Sequence, residues 1–140
     1  MNIVRQINIL KDVAEDTISV SNARVVAAVI YKGKIVSIGV NQNKTHPNSY
    51  KYRKNDKAIY IHAEVDAINK ASKRLNSKQL TKATIIICRV KKNEENKDVF
   101  GLSKPCKGCE KCISDKGILN IIYTEDCKVE SEMKYTRWQK

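Results

Sequence analysis

Three predominantly apolar runs constrain this chain most: ARVVAAVIY (23–31), ATIIICRV (83–90) and ILNIIYT (118–124). A strand with one wet face alternates apolar and polar residues. These runs do not, so they read as strands buried on both faces, and the sheet they form needs cover on both sides. The cover is also legible. Ile3, Ile7, Leu10 and Ala14 recur at helical spacing in the first 16 residues. From about Ala58 a second helical pattern begins, with Val65, Ile68, Ser72 and Leu75 on one face and Ala67 and Ala71 beside it. A third, short helix is predicted from Cys106 to about Lys116, with Pro105 suited to its start and Gly117 to its end. Lys32-Gly33-Lys34 reads as a turn, after which IVSIGVN (35–41) returns as the antiparallel partner of the first run.

The resulting order is α-β-β-α-β-α-β, with two β-α-β crossovers that predict parallel strands after the first hairpin. The fold class expected is α/β: a three-layer α-β-α sandwich around a mixed sheet. At 140 residues and 41% apolar content the chain suits one compact domain spanning 1–140 and is too short for two ordinary ones. Residues 42–57 read as an irregular polar stretch, KKNEENKD and FGLSKP as loop, and the tail EDCKVESEMKYTRWQK as either a helix or a frayed end pinned by Trp138 and Tyr135.

Composition narrows the function classes. No run approaches the roughly 20 apolar residues that span a bilayer, and the N-terminus mixes charged and apolar residues too evenly for a secretory signal. The expectation is a soluble, cytoplasmic protein without a membrane partner. Five cysteines, three of them bunched at 106, 109 and 112, suit metal binding or thiol chemistry better than a disulfide framework. Cys88, inside an apolar run, reads as a small buried hydrophobe. The net charge of +12, most of its excess lysine, attracts phosphates, whether on a nucleotide or along a polymer.

Two short motifs carry chemistry: His62-Ala63-Glu64, and Pro105-Cys106-Lys107-Gly108-Cys109 some forty residues later. Each opens a predicted helix that follows a strand or loop. In a parallel α/β layer such helix starts share one edge of the sheet, so the motifs are brought together. One imidazole and two thiolates suit zinc, with three protein ligands and a fourth position for water. Zinc lowers the pKa of its water towards roughly 7, and Glu64 lies close enough in sequence to take the proton without being a ligand. Cys112 sits one turn beyond Cys109, about 4.5 Å along the helix axis. It reads as a core thiol, because a fourth thiolate would close the position that water needs.

H-x-E followed by P-C-x-x-C is the signature of zinc deaminases, and on these motifs the sequence resembles the cytidine/deoxycytidylate deaminase superfamily. It looks most like the small bacteriophage-type dCMP and cytidine deaminase-like proteins, over roughly residues 23–124. The resemblance implies a cytidine deaminase-like fold with a five-stranded, mixed and mostly parallel sheet. It implies one catalytic zinc ion per chain, held by His62, Cys106 and Cys109, with Glu64 as proton shuttle. It also implies that the Ala63 backbone N–H meets the ring carbonyl and that Asn41 contacts the sugar or base. There are departures. Asp66 stands where many dCMP deaminases have asparagine, and Ile59-Tyr60-Ile61 replaces the D-P-T of tRNA adenosine deaminases.

The loop between Asn41 and the catalytic helix supplies the remaining candidates. His46 lies where it would reach the pocket mouth, and Tyr60 belongs to a set of tyrosines interleaved with Lys44, Lys51, Arg53, Lys54 and Lys57. Such a set can grip a phosphate and stack a base. The expected activity is hydrolytic deamination of a cytosine nucleoside or nucleotide, of dCMP or CMP type, by a homo-oligomer. Two alternatives stay open: a deaminase of cytosine or adenine in single-stranded DNA or RNA, and a non-catalytic zinc module.

Overall fold

The computed structural model describes residues 2–16, 24–41 and 62–139. Helix α1 (Ile3–Glu15) leads into strands β1 (Arg24–Tyr31) and β2 (Lys34–Val40). Helices α2 (Ala63–Ala71) and α3 (Ser77–Thr81) follow, then β3 (Thr84–Lys92), β4 (Asp98–Gly101), α4 (Lys107–Asp115), β5 (Asn120–Thr124) and β6 (Tyr135–Gln139). The polar stretch 42–57, the helical pattern over 58–61, and the candidates His46 and Tyr60 lie outside the described residues.

The sheet runs β2-β1-β3-β5-β6, with β4 paired to the far end of β3. Its two faces hold separate cores, as the apolar runs require. On one face α1 sets Ile7, Leu10 and Ala14 against Val26, Ala28, Ile30, Ile86, Cys88, Val90 and Ile122. On the other, α2, α3 and α4 cover Ala27, Val29, Ile85, Ile87 and Ile121. The architecture is the expected three-layer α/β sandwich with a mixed sheet.

Its strand directions differ from the expected mostly parallel pattern. Among the described residues only β3 and β5 are neighbours in parallel; β1 pairs antiparallel with both β2 and β3. The crossover through α2 does carry the chain from β2 to a strand pointing the same way, but β1 lies between them. The reason is burial: β1, apolar from Val25 to Ile30, takes a central place, while β2, with Lys34 and intermediate positions, takes the edge. Three further elements depart from the sequence reading. The FGLSKP segment is not all loop, since β4 forms a hairpin with β3. The tail is neither helix nor frayed end, because β6 adds antiparallel to β5. Asn76 and Gln79 form a capping box that starts the unanticipated helix α3.

Helix α2 lies directly on β2, and Gly39 allows it. A Cβ there would stand 2.3 Å from the Ala67 nitrogen and 2.4 Å from the Ala63 oxygen. Ser37 donates to the Ala67 carbonyl at 2.7 Å, and Asp66 accepts from the Val40 N–H at 3.1 Å. Lys70 and Arg74 donate to the Ile38 and Val36 carbonyls along the outer edge of β2. The start of α2 is therefore fixed to the sheet at several points.

Candidate metal centre

His62 and Cys106 are the N-cap residues of α2 and α4, and neither side chain makes a capping hydrogen bond. Both are instead turned towards each other. His62 Nδ1 lies 3.1 Å from Cys109 Sγ and 3.7 Å from Cys106 Sγ, and the three donor atoms all lie within 4.8 Å of one another. Tetrahedral zinc with Zn–S of about 2.3 Å and Zn–N of about 2.0–2.1 Å separates its donors by about 3.5–3.8 Å. The three side chains fit that ion with small adjustments. No fourth acidic, histidine or cysteine donor joins the group among the described residues. Cys112, wholly buried, packs in the core beneath α4 with Ile113 and Ile118, as the sequence reading has it.

The electrostatics suit a metal-binding pair. A hydrogen bond from Cys109 holds Cys106 as a thiolate, down to about 3, against the opposing effect of burial and with help from His62. Cys109 is raised well above its usual value by donating that bond and by burial. His62 is raised chiefly by its hydrogen bond to Cys106, with burial opposing. The two thiols thus hold one proton between them, which a divalent cation would displace.

Glu64 occupies the first turn of α2, where the helix dipole favours an acid. It is 6% exposed, and burial holds its carboxyl above the usual range despite the lowering influence of a backbone hydrogen bond and of His62. It lies beside the donor set without belonging to it. Ala63 is buried as the first residue of α2, where a backbone N–H has no intrahelical partner.

Asn41 closes the β1–β2 ladder. Its N–H donates to the Val25 carbonyl at 3.2 Å, and its Oδ1 accepts from the Val25 N–H at 3.1 Å, which fixes the orientation of the amide. Asp66, the departure from the dCMP deaminase pattern, joins β2 to α2 through Val40 and Lys70.

The sequence reading missed Arg89. Strand alternation places it on the face of β3 that carries Ile85 and Ile87, the face covered by α2 and α4. Its Nε is buried and has no hydrogen-bond partner among the described residues. The signal was present: a cation standing where the period of two assigns an interior position.

Residues 3–125 match the family described as the cytidine and deoxycytidylate deaminase zinc-binding region. No curated protein matches the chain. Among solved structures, a cytidine deaminase from Burkholderia pseudomallei is similar at TM-score 0.60 and 18% identity, over 97% of this chain and 92% of that one. The apo dCMP deaminase of the cyanophage S-TIM5 is similar at TM-score 0.52 and 19% identity, over 88% of this chain and 79% of that one. The same phage enzyme in complex with dCMP and dUMP matches at TM-score 0.56 and 16% identity, over 93% and 87%.

Proposed function

The chain belongs to the cytidine and deoxycytidylate deaminase family, and from that premise we propose that it hydrolyses a cytosine nucleoside or nucleotide, of dCMP or CMP type, to the uracil form and ammonia. The observation that carries this reading is Glu64, a buried carboxylate beside three metal donors and outside their set. A structural zinc site has no use for such a group.

His62, Cys106 and Cys109 would hold one zinc ion per chain, which supplies Lewis-acid chemistry and makes a water acidic enough to lose its proton near neutral pH. Glu64 takes that proton, and its raised affinity for protons lets it hold and return one. It delivers protons first to the ring nitrogen and then to the leaving amine. The Ala63 N–H receives the ring carbonyl, and the fixed amide of Asn41 meets the sugar or base. His46 and Tyr60, in the sequence between Asn41 and His62, are the remaining proposed substrate contacts. Arg89 is a cation on the site's face of the sheet whose buried Nε has no hydrogen-bond partner among the described residues, and it suits an anionic group of the substrate. The chain works as a homo-oligomer in the cytoplasm, a compartment suited to five cysteines of which none forms a disulfide.

Incubating the zinc-loaded protein with each cytosine nucleoside and nucleotide, and following ammonia release with the ultraviolet change, tests this. Turnover of a monophosphate is expected. Silence on every cytosine nucleoside and nucleotide would overturn it. The net charge of +12 favours a second reading, deamination of a base in single-stranded nucleic acid. Turnover of oligonucleotides above mononucleotides, falling steeply with salt, would select that reading.

A further inference from the structure

The segment that delivers Cys106 to the metal centre crosses the sheet at a place where the strand ladder is interrupted. β3 pairs with β5 only as far as Ile87↔Tyr123, and with β4 only from Arg89↔Gly101 onwards. Between the two, β3 changes neighbours, and backbone groups of Ile87 and Arg89 are left without strand partners on that side. Two buried hydroxyls replace them. Ser103 Oγ donates to the Ile87 carbonyl at 2.8 Å and accepts from the Thr124 N–H at 2.8 Å. Thr124 Oγ1 donates to the Gly101 carbonyl at 2.7 Å and accepts from the Arg89 N–H at 3.2 Å. The Ser103 N–H completes the set on the Thr124 carbonyl at 3.0 Å. The two oxygens lie 2.9 Å apart. Each hydroxyl has one proton, which a carbonyl or the other hydroxyl oxygen stands ready to accept. Ser103 is 6% exposed and Thr124 is fully buried.

Two residues, Lys104 and Pro105, separate Ser103 from the ligand Cys106, and the proline fixes one backbone torsion. Leu102, on the other flank, donates to Asp126 Oδ1 at 2.8 Å. The loop is therefore tied down on both sides of Ser103 and has little freedom left when it reaches the N-cap of α4. We propose that Ser103 and Thr124 are positioning residues for the metal centre. Their hydroxyl pair bridges the gap between β5 and β4 and so sets where Cys106 and Cys109 stand against His62. The inference rests on the metal-centre reading above, and no part of it depends on which base is the substrate.

The test compares Ser103→Ala and Thr124→Val, which each remove one oxygen, with Thr124→Ser, which keeps it. Ile122→Val, on the face of β5 turned away from the metal centre, serves as a control for stability alone. The readouts are zinc release to a chelator and the visible spectrum of the cobalt-substituted protein. Ser103→Ala and Thr124→Val are expected to release zinc at least about tenfold faster with an altered cobalt spectrum, Thr124→Ser to fall between them and the parent, and Ile122→Val to match the parent. Parental release and spectrum in both hydroxyl-deleted variants would overturn the proposal. So would an Ile122→Val protein that releases zinc as fast as they do. If neither hydroxyl-deleted variant folds, Thr124→Ser decides, since the lost methyl frees the hydroxyl's rotamer, and parental release from it overturns the proposal. Amide exchange in the zinc-free protein provides an arm that survives failure of the metal reading. Residues 103–109 should exchange at least about tenfold faster in Ser103→Ala while α2 is unchanged, and equal exchange would overturn the positioning role even in a protein that bound no zinc.

Discussion

The two faces of this sheet are built from the same strands and do different work. On the α1 face Val26, Ala28, Ile30 and Ile86 are apolar and fully or almost fully buried, and Cys88 is one more hydrophobe there, its thiol pushed up to about 12 by burial. On the α2/α4 face the same strands offer Ala27, Val29, Ile85 and Ile87 as a floor. Above it two helix starts bring His62, Glu64, Cys106 and Cys109 together. A fully buried cysteine is inert on one face, and a half-buried one is a thiolate at about 3 on the other. The difference is the company each keeps: Cys88 has aliphatic neighbours, whereas Cys106 has a thiol donor and an imidazole within reach. Burial alone raises a thiol; it takes directed hydrogen bonds to reverse that.

The largest effect that would break this contrast is expected at Glu64. Glu64→Gln should lower turnover by about a thousandfold or more while zinc content per chain stays the same, measured by initial rates and metal analysis. The same variant carries a pH signature. A carboxyl whose folded pKa is raised contributes stability below its unfolded value and loses it as pH rises through the folded one. The zinc-free Glu64→Gln protein should therefore melt above its parent at pH 7 to 8 and converge with it below pH 4.

A second effect is chemical. In the zinc-free folded protein Cys106 should react with a disulfide reagent at pH 6 at least about a hundredfold faster than Cys88, which should wait for unfolding. Mass mapping of the labelled thiols reads both, and comparable rates would remove the contrast.

Gly39→Ala tests how the active face depends on contact between helix and strand. The added Cβ would overlap α2 backbone on two sides, and lifting α2 should cost about 1–3 kcal/mol. It should also lower turnover by tenfold or more, because His62 and Glu64 ride on that helix. Thermal melts and rates together separate the two losses.

The smallest effect belongs to the rim of the α1 face, where Arg24 and Lys92 hold Asp98 at 2.5 and 2.9 Å. Burial pushes Asp98 up, but the hydrogen bonds from Lys92 and Arg24 outweigh it and hold the carboxyl below its usual value. Its contribution is complete above pH 4 and lost as pH falls through the lowered value. Asp98→Asn should cost under about 1 kcal/mol at neutral pH, progressively less below pH 4, and nothing in turnover. A matching loss of activity would show that the passive face reaches the site.

Much of the site was legible before the fold. His62, Glu64, Cys106 and Cys109 stand in two motifs whose spacing and residue types suit a metal and a base, and α1, the first hairpin, α2, α4, β3 and β5 follow the apolar pattern. What periodicity could not supply was pairing. The segment Asp98–Gly101 is too short to show a period, and it is a strand only because β3 outruns β5. The tail YTRWQ has too few apolar residues to be claimed as a strand, and becomes one by borrowing the edge of β5. Arg89 and Gly39 likewise look ordinary until their neighbours are known.

The sequence by itself determined the chemistry and the layers. Residue type fixes which atoms can bind a metal or carry a proton, and continuous apolar runs demand cover on both faces. Only the tertiary structure decided the strand order, the position of β1 between two strands that run the same way, and the hydroxyl bridge of Ser103 and Thr124 beneath the Cys106 loop. Those depend on which backbone groups remain unpaired once strands of unequal length lie side by side, and that is a property of the assembled sheet.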